Sequence, residues 1–225
     1  MALRAFEEIW DRAAARKGGD AAVEGQLPTM KTPAELAAIP DDRWLSQMAR
    51  CVFQAGFSWQ VVDKKWPGTE EAFWNFSPSR CRAMSDEAFD ALLKDARIIR
   101  NGAKVRSVQN NAAFLLDLAA EHGTSAGAVF ANWPMSDYVG LLDLIKTRGD
   151  RLGGNAGMMF LRFMGKDSWV TSMDMVKALA VEGVIDGAPD TKKARKATQA
   201  AFDQWAQESG RPFAHISRVL AMSVD

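Results

Sequence analysis

A short glycine-rich turn, residues 152–157, is the part of this chain best suited to chemistry. It reads Leu-Gly-Gly-Asn-Ala-Gly, and apolar patterns with helical spacing lie on both sides of it. Such a turn leaves the N–H groups at the start of the second helix without partners inside that helix, and these groups can bind a phosphate. We therefore expect the amides of Gly153, Gly154, Asn155 and Gly157 to be exposed and to contact a phosphate.

Basic side chains surround this turn. Residues 146–166 carry five basic residues and one acid, and the candidates for phosphate contact are Lys146, Arg148, Arg151 and Lys166. The alternative for each of them is an ordinary solvated helix end. The whole chain has 28 basic and 28 acidic residues. This balance argues against a protein that coats nucleic acid through bulk positive charge, but it permits a local basic surface.

The helical elements that must position this turn extend over almost the entire chain, because β-branched alternation is rare. We predict an all-α fold, an orthogonal bundle of about ten helices that contains a helix-hairpin-helix motif. A core domain is expected over 1–185, and a C-terminal helical extension that packs on it over 186–225. The predicted helices are 3–16, a short one from Pro33, 43–55, 59–66, 69–76, 85–95, 101–122, 125–131, 136–148, 155–165, 174–181 and 191–208.

Composition limits the classes of protein further. The chain has no apolar run long enough for a membrane span and no secretory leader pattern, so we expect no membrane partner. Its only cysteines are Cys51 and Cys81, which favours a reducing cytoplasm over a disulfide framework. Cys51 is interpreted as a small buried apolar residue. The two histidines, His122 and His215, are far apart, so no zinc-ligand spacing is present and we expect no metal site. We also expect a monomeric protein that needs no cofactor.

Two sequence blocks resemble the 3-methyladenine DNA glycosylase I family. The first is Gln-Ala-Gly-Phe-Ser-Trp at 54–59, and the second is Lys-Asp-Ala-Arg-Ile-Ile-Arg at 94–100. The resemblance covers about 44–182 and is that of a divergent member of the helix-hairpin-helix DNA glycosylases. The family has a glutamate where this chain has Cys51, and its zinc-binding Cys and His residues and its N-terminal pocket tyrosine have no counterparts here.

The resemblance implies a monofunctional hydrolase of base-excision repair that acts on alkylated purines, above all 3-methyladenine, in double-stranded DNA. Such an enzyme flips the damaged nucleotide and holds its base against aromatic side chains. Trp59 matches the pocket tryptophan of the family, and an electron-rich indole suits a cationic alkylated adenine. Further candidates for the pocket wall are Phe53, Phe57, Trp66 and Met48. Ordinary core packing is the alternative for these four.

The resemblance also implies a catalytic carboxylate shortly after the hairpin, and Asp174 is the candidate. A carboxylate stabilises the positive charge that develops on the sugar as the glycosidic bond breaks. Strict alignment leaves an ambiguity of one residue, with Met173 as the other position. The alternative is that Asp174 or Ser172 only caps the helix over 174–181.

Two other functions stay open at this point. One is a non-catalytic helix-hairpin-helix protein that binds damaged or bent duplex DNA, which the loss of the family glutamate at Cys51 favours. The other is an all-α interaction protein in which the glycine turn has no special role.

Overall fold

A computed structural model describes residues 3–225, and this part of the chain is helical without any strand. The predicted all-α class is confirmed. Fourteen α-helices and two 3-10 helices, Trp74–Phe76 and Met135–Asp137, are present in the described residues. The α-helices are α1 Phe6–Lys17, α2 Asp20–Glu24, α3 Pro33–Ala37, α4 Asp41–Gln54, α5 Trp59–Ala72, α6 Pro78–Arg82, α7 Asp86–Lys94, α8 Gly102–His122, α9 Ala126–Asn132, α10 Tyr138–Arg148, α11 Asn155–Met164, α12 Met173–Val181, α13 Lys192–Ser209 and α14 Phe213–Met222.

The number of helices exceeds the prediction because α2, α6 and α14 were not predicted. The two helices predicted over 59–66 and 69–76 were expected to break at Pro67. Instead, α5 continues through Pro67 to Ala72. Val62, Trp66 and Thr69 are all buried on it, and their spacing keeps one face of the helix against the core. This packing outweighs the loss of one backbone hydrogen bond at the proline.

The helices form two compact units, each made from separate stretches of chain. The three-segment unit consists of Met1–Lys31, of which residues 3–31 are described, Pro134–Gly140 and Gly165–Asp225. The two-segment unit consists of Thr32–Trp133 and Leu141–Met164. This grouping differs from the predicted boundary at residue 185, since residues 186–225 share a unit with α1. Helical periodicity shows that a helix has a buried face, but not which distant helix covers that face.

In the three-segment unit α14 packs against α1, α12 and α13, and the Trp169 ring is buried against aromatic side chains. The Tyr138 ring lies 4.6 Å from it and the Phe202 ring 4.9 Å. The Tyr138 hydroxyl donates a hydrogen bond of 3.1 Å to the Trp169 carbonyl. The enclosed carboxylate of Glu182 accepts from Arg4 at 2.9 Å and also from Arg12. These bonds join α1 to the C-terminal part of the chain.

The two-segment unit is built on α4, whose buried face packs against α8 and α11. The Trp44 ring on α4 lies 5.4 Å from the Phe130 ring and 5.7 Å from the Phe160 ring. Gly127 allows α9 to approach this tryptophan, because a β-carbon there would collide with the indole. The Asp41 carboxylate also holds this end of α9, accepting from the Gly127 amide at 2.9 Å.

The helices among residues 3–225 include none with the length and apolar character needed to cross a membrane.

Candidate functional site

Residues 149–154 connect α10 to α11, as the sequence predicted, so the glycine-rich residues 152–157 span the end of this turn and the start of α11. Gly153, Gly154 and Asn155 are exposed. Gly154 has a φ of +60°, a backbone conformation that favours glycine. The expectation of exposure is wrong for Gly157, which is buried. A β-carbon at Gly157 would collide with the Leu152 carbonyl, so this glycine allows the turn to pack closely on α11.

Asn111 of α8 holds the turn at Asp150. Its side-chain amide donates to the Asp150 carbonyl at 3.1 Å, and its side-chain oxygen accepts from the Asp150 amide at 2.8 Å. Asn111 is completely buried, which strengthens both hydrogen bonds. The neighbouring Asn110 donates to the Asp150 carboxylate at 2.7 Å. The start of α11 is therefore held in place by contacts with α8.

Only part of the predicted basic surface faces solvent. Lys146 and Arg151 are exposed near the turn. The Arg148 guanidinium makes two hydrogen bonds to Glu121, of 2.6 and 2.7 Å, and this pairing lowers the pKa of the Glu121 carboxyl. Arg148 therefore has a structural partner already. Lys166 is buried in the other unit, and desolvation lowers its pKa, so it is a poor phosphate ligand.

Two cavities share Trp59, Phe163 and Gln54 in the two-segment unit. The apolar cavity, about 120 Å³, is also lined by Cys51, Ala55, Asn155, Ala156 and Met159. The polar cavity, about 300 Å³, is also lined by Gln47, Arg50 and Asp63. The Trp59 and Phe163 rings meet edge to face with their centroids 5.9 Å apart. They are 49% and 43% exposed. The start of α11 thus lies beside an accessible aromatic surface.

Hydrogen bonds organise the polar cavity around one oxygen of Asp63. This oxygen accepts from Arg50 at 2.8 and 3.0 Å and from the Gln54 side-chain amide at 3.0 Å. Gln47 donates to the Cys51 sulfur at 3.4 Å. Burial raises the pKa of the Cys51 thiol to about 11. The thiol is therefore neutral near pH 7 and is not a nucleophile.

The predicted pocket residues separate into two groups. Trp59 lines both cavities, whereas Met48, Phe53 and Trp66 are buried. The Phe53 and Trp66 rings pack at 6.2 Å, and the burial of all three residues favours the core interpretation. Phe57 is 43% exposed but is not part of either cavity lining.

Lys104 supports the chain between α4 and α5. Its buried ammonium donates to the carbonyls of Phe53 at 3.0 Å and Ala55 at 2.7 Å, and it lies 4.4 Å from the Phe57 ring centroid. Desolvation, with a smaller contribution from the positive charge of Arg151, lowers the pKa of Lys104. These contacts therefore hold the backbone of the segment before Trp59 in place.

Sequence reasoning missed Phe163, Gln54, Arg50 and Asp63 as lining residues. Phe163 and Met159 are four residues apart on α11, a spacing that places both on one face of the helix. That spacing was visible, but it did not show whether the face was buried or lined a cavity.

Asp174 is exposed in the first turn of α12, in the three-segment unit. The capping residue of α12 is Ser172, whose hydroxyl accepts from the Met175 amide at 3.1 Å. The capping alternative is therefore correct for Ser172 and wrong for Asp174. Met173, the other position of the alignment, is 89% exposed. The catalytic role of Asp174 stays a prediction.

Residues 3–225 contain no group of three or more Cys, His, Asp or Glu side chains arranged to hold a metal ion.

Comparison with known proteins shows that the central part of the chain is similar to methyladenine glycosylases. Residues 39–136 match the methyladenine glycosylase family model. DNA-3-methyladenine glycosylase 1 of Escherichia coli (strain K12) is 37% identical over 65 residues, which are 29% of this chain and 35% of that protein. The DNA-3-methyladenine glycosylase of Haemophilus influenzae is 37% identical over 59 residues, 26% of this chain and 32% of that protein. The chain spans about a third of the length of these curated relatives.

Solved structures of similar proteins carry related names. A crystal structure of 3-methyladenine DNA glycosylase I has 24% identity and a TM-score of 0.49, with 64% of this chain and 86% of that chain covered. The 3-methyladenine DNA glycosylase I of Staphylococcus aureus has 17% identity and a TM-score of 0.47, with 73% and 95% covered. The resemblance to 3-methyladenine DNA glycosylase I seen in the sequence is confirmed for the segment that the family model matches.

Proposed function

We propose that this protein is a DNA glycosylase that hydrolyses the N-glycosidic bond of alkylated purines, above all 3-methyladenine, in double-stranded DNA. One observation carries the proposal. Trp59 and Phe163 line a cavity together with Asn155 and Ala156 at the start of α11. A surface on which a base can stack and a helix start that can bind a phosphate therefore lie side by side in one unit.

The apolar and the polar cavity together form a groove beside Trp59 and Phe163. The physical properties of this groove fit a flipped alkylated base. Extrusion from the duplex costs a few kcal/mol of stacking, which an aromatic surface in the protein offsets. An N-alkylated adenine in DNA is cationic, and the face of an indole attracts a cation. The polar cavity of about 300 Å³ is at the lower end of the range usual for small-molecule sites.

The reaction would use water as the nucleophile. Water forms a bond to the anomeric carbon and loses a proton, while the bonding electrons of the broken glycosidic bond leave with the purine. The products are a free base and an abasic site. Asp174 is the residue proposed to stabilise the positive charge on the sugar. No metal or organic cofactor is part of this proposal.

Release of base from methylated duplex DNA tests the proposal directly. The protein is incubated with methylated duplex and with the same duplex unmodified. Abasic sites are then measured by alkaline strand cleavage, and released bases are identified by chromatography. We expect 3-methyladenine and a matching number of abasic sites from the methylated duplex alone. A methylated duplex that binds tightly and yields neither product would contradict glycosylase activity.

The second candidate function is recognition of damaged or bent duplex DNA without cleavage. No carboxylate lines the apolar cavity, and the Asp63 carboxylate of the polar cavity is ion-paired with Arg50. This candidate predicts salt-dependent duplex binding with no base release. A protein without duplex binding at low salt would fit the third function, that of an all-α interaction protein. Cytoplasmic location and a monomeric state stay predictions, and size-exclusion chromatography tests the second.

A further inference from the structure

Gln54 is the buried polar side chain common to both cavities. It is the last residue of α4, is 6% exposed and lines the apolar and the polar cavity. Buried polar side chains generally make hydrogen bonds, and these orient the two ends of an amide. The hydrogen bonds of Gln54 therefore decide which of its atoms a bound molecule meets.

Asp63 determines the orientation of the Gln54 amide. The Gln54 nitrogen donates to the Asp63 carboxylate at 3.0 Å. An ionised carboxylate can only accept, so the nitrogen must face Asp63 and the side-chain oxygen must face away. Arg50 makes two hydrogen bonds to the same carboxylate oxygen and fixes Asp63 in turn.

The Gln54 side-chain oxygen is available to a ligand. No hydrogen bond to it is found among residues 3–225, since the contact with Asp63 uses the nitrogen. This oxygen is also absent from the fully enclosed side-chain atoms that lack a partner, so it reaches open space. The open space next to Gln54 is the pair of cavities. An acceptor held in this way favours a ligand that brings a donor.

The other polar groups of the cavities are less suited to accept from a ligand. Gln47 is only half-buried, so water competes for its side-chain oxygen, and the neutral Cys51 thiol is a weak acceptor. Asp63 is 43% exposed, so water competes for its second oxygen. Asn155 is exposed at the helix start.

We propose that Gln54 determines base specificity by accepting a hydrogen bond from the 6-amino group of the flipped purine. The site would then select 6-aminopurines over 6-oxopurines, which place an acceptor where Gln54 already presents one. This inference rests on the proposed function for the identity of the ligand. Asp63 would act as a positioning residue, because it holds the amide in the accepting orientation.

The affinities of the whole protein for free 3-methyladenine and free 3-methylhypoxanthine, measured by isothermal titration calorimetry, test this proposal. The two bases differ in carrying an amino or an oxo group at C6. We expect the wild-type protein to bind the amino base on the order of ten to a hundred times more tightly, as an unmade hydrogen bond at a buried acceptor predicts. Gln54→Met keeps the length of the side chain and removes the acceptor, so the ratio should fall to near one.

Two further variants complete the experiment. Gln204→Met makes the same chemical change on α13, where the Gln204 side chain donates to Glu208, and should leave the ratio unchanged. Asp63→Asn can accept from or donate to Gln54, so the amide loses its single orientation and the ratio should fall partway. This variant provides the test if Gln54→Met does not fold by circular dichroism.

Each outcome has one meaning. A wild-type ratio near one, an unchanged ratio in Gln54→Met, or no binding of either base would overturn the role of Gln54. A preserved preference for the amino base, together with no release of base from methylated duplex, would instead overturn the glycosylase activity and leave the role of Gln54 standing.

Discussion

Trp59 and Trp66 are two turns apart on α5 and have opposite environments. Trp59 is 49% exposed and meets Phe163, whereas Trp66 is 7% exposed. The Trp66 ring stacks on the Phe76 ring at 5.5 Å with an angle of 11° between the planes. The same residue type on the same helix is thus part of the core at one position and part of an open groove at the other.

The environments of the two tryptophans are linked through Arg50. Arg50 lies with its guanidinium carbon 5.8 Å from the Trp66 ring centroid and also bonds to Asp63 in the polar cavity. The buried tryptophan therefore supports a side chain that organises the groove lined by the exposed one. Variants should accordingly separate into those that change stability and those that change activity alone.

The largest expected effect is that of an exposed residue, Asp174. Asp174→Asn keeps the shape of the side chain and removes the charge that would stabilise the sugar cation. Release of 3-methyladenine should fall by about two to four orders of magnitude. The free energy of unfolding should change by less than about 1 kcal/mol, the usual value of a charge at a helix start.

Ser172→Ala is the matched control for Asp174→Asn. It removes the observed cap of α12 and should lower the free energy of unfolding by about 1 kcal/mol with little change in base release. Equal activity of Asp174→Asn and the wild type would show that another group performs the catalysis.

Trp66→Ala should have the largest effect on stability. Truncating a buried tryptophan removes its packing and leaves a cavity, so the free energy of unfolding in urea should fall by about 3–5 kcal/mol. Trp66→Phe, which keeps an aromatic ring, should lose less. A stable Trp66→Ala variant with a selective defect in base release would show that Trp66 is a pocket residue after all.

Trp59→Ala should have a smaller effect, limited to the ligand. Because the side chain is half exposed, its loss should change the free energy of unfolding little. Binding to duplex with an alkylated base should weaken by about 1–3 kcal/mol, the usual value of one stacked base, with little change for undamaged duplex. Equal weakening for both duplexes in filter binding would place Trp59 on the general DNA surface instead.

The smallest expected effect concerns the turn. Replacing Gly153 and Gly154 with alanine should weaken binding to damaged and undamaged duplex by the same factor, because backbone amides contact phosphate and not bases. Gly183 has a φ of +69° and open space around it, so Gly183→Ala provides similar backbone strain away from the turn. Loss of binding to damaged duplex alone would mean that the turn is not a phosphate site.

The sequence predicted most helices because apolar periodicity and capping residues are local signals. Thr32, Ser85, Asn101 and Thr191 accept hydrogen bonds from the backbone at the starts of their helices. α5 was predicted too short because Pro67 and Gly68 are local breakers, whereas the burial of Trp66 and Thr69 depends on distant residues.

The candidate site was predictable only in part. Trp59 and the turn carry recognisable motifs, and both lie at the groove. The contact between Asn111 and Asp150 joins residues 39 positions apart, and that between Gln54 and Asp63 depends on how α4 meets α5. Such pairs have no sequence signal of their own. For the same reason, the sequence could not show whether Arg148 pairs with an acidic residue such as Glu121 or faces solvent.

The bonds between α1 and the end of the chain have a consequence during synthesis. Arg12 of α1 bonds to the Ser223 carbonyl, 211 positions later, and the Trp205 indole donates to the Arg4 carbonyl. At about 5–20 residues per second, the ribosome needs about 10–40 s to make the chain between such partners. Helix α1 must therefore wait until residues 205–223 have been made before these contacts can form. During this interval the apolar face of α1 is a binding site for a chaperone.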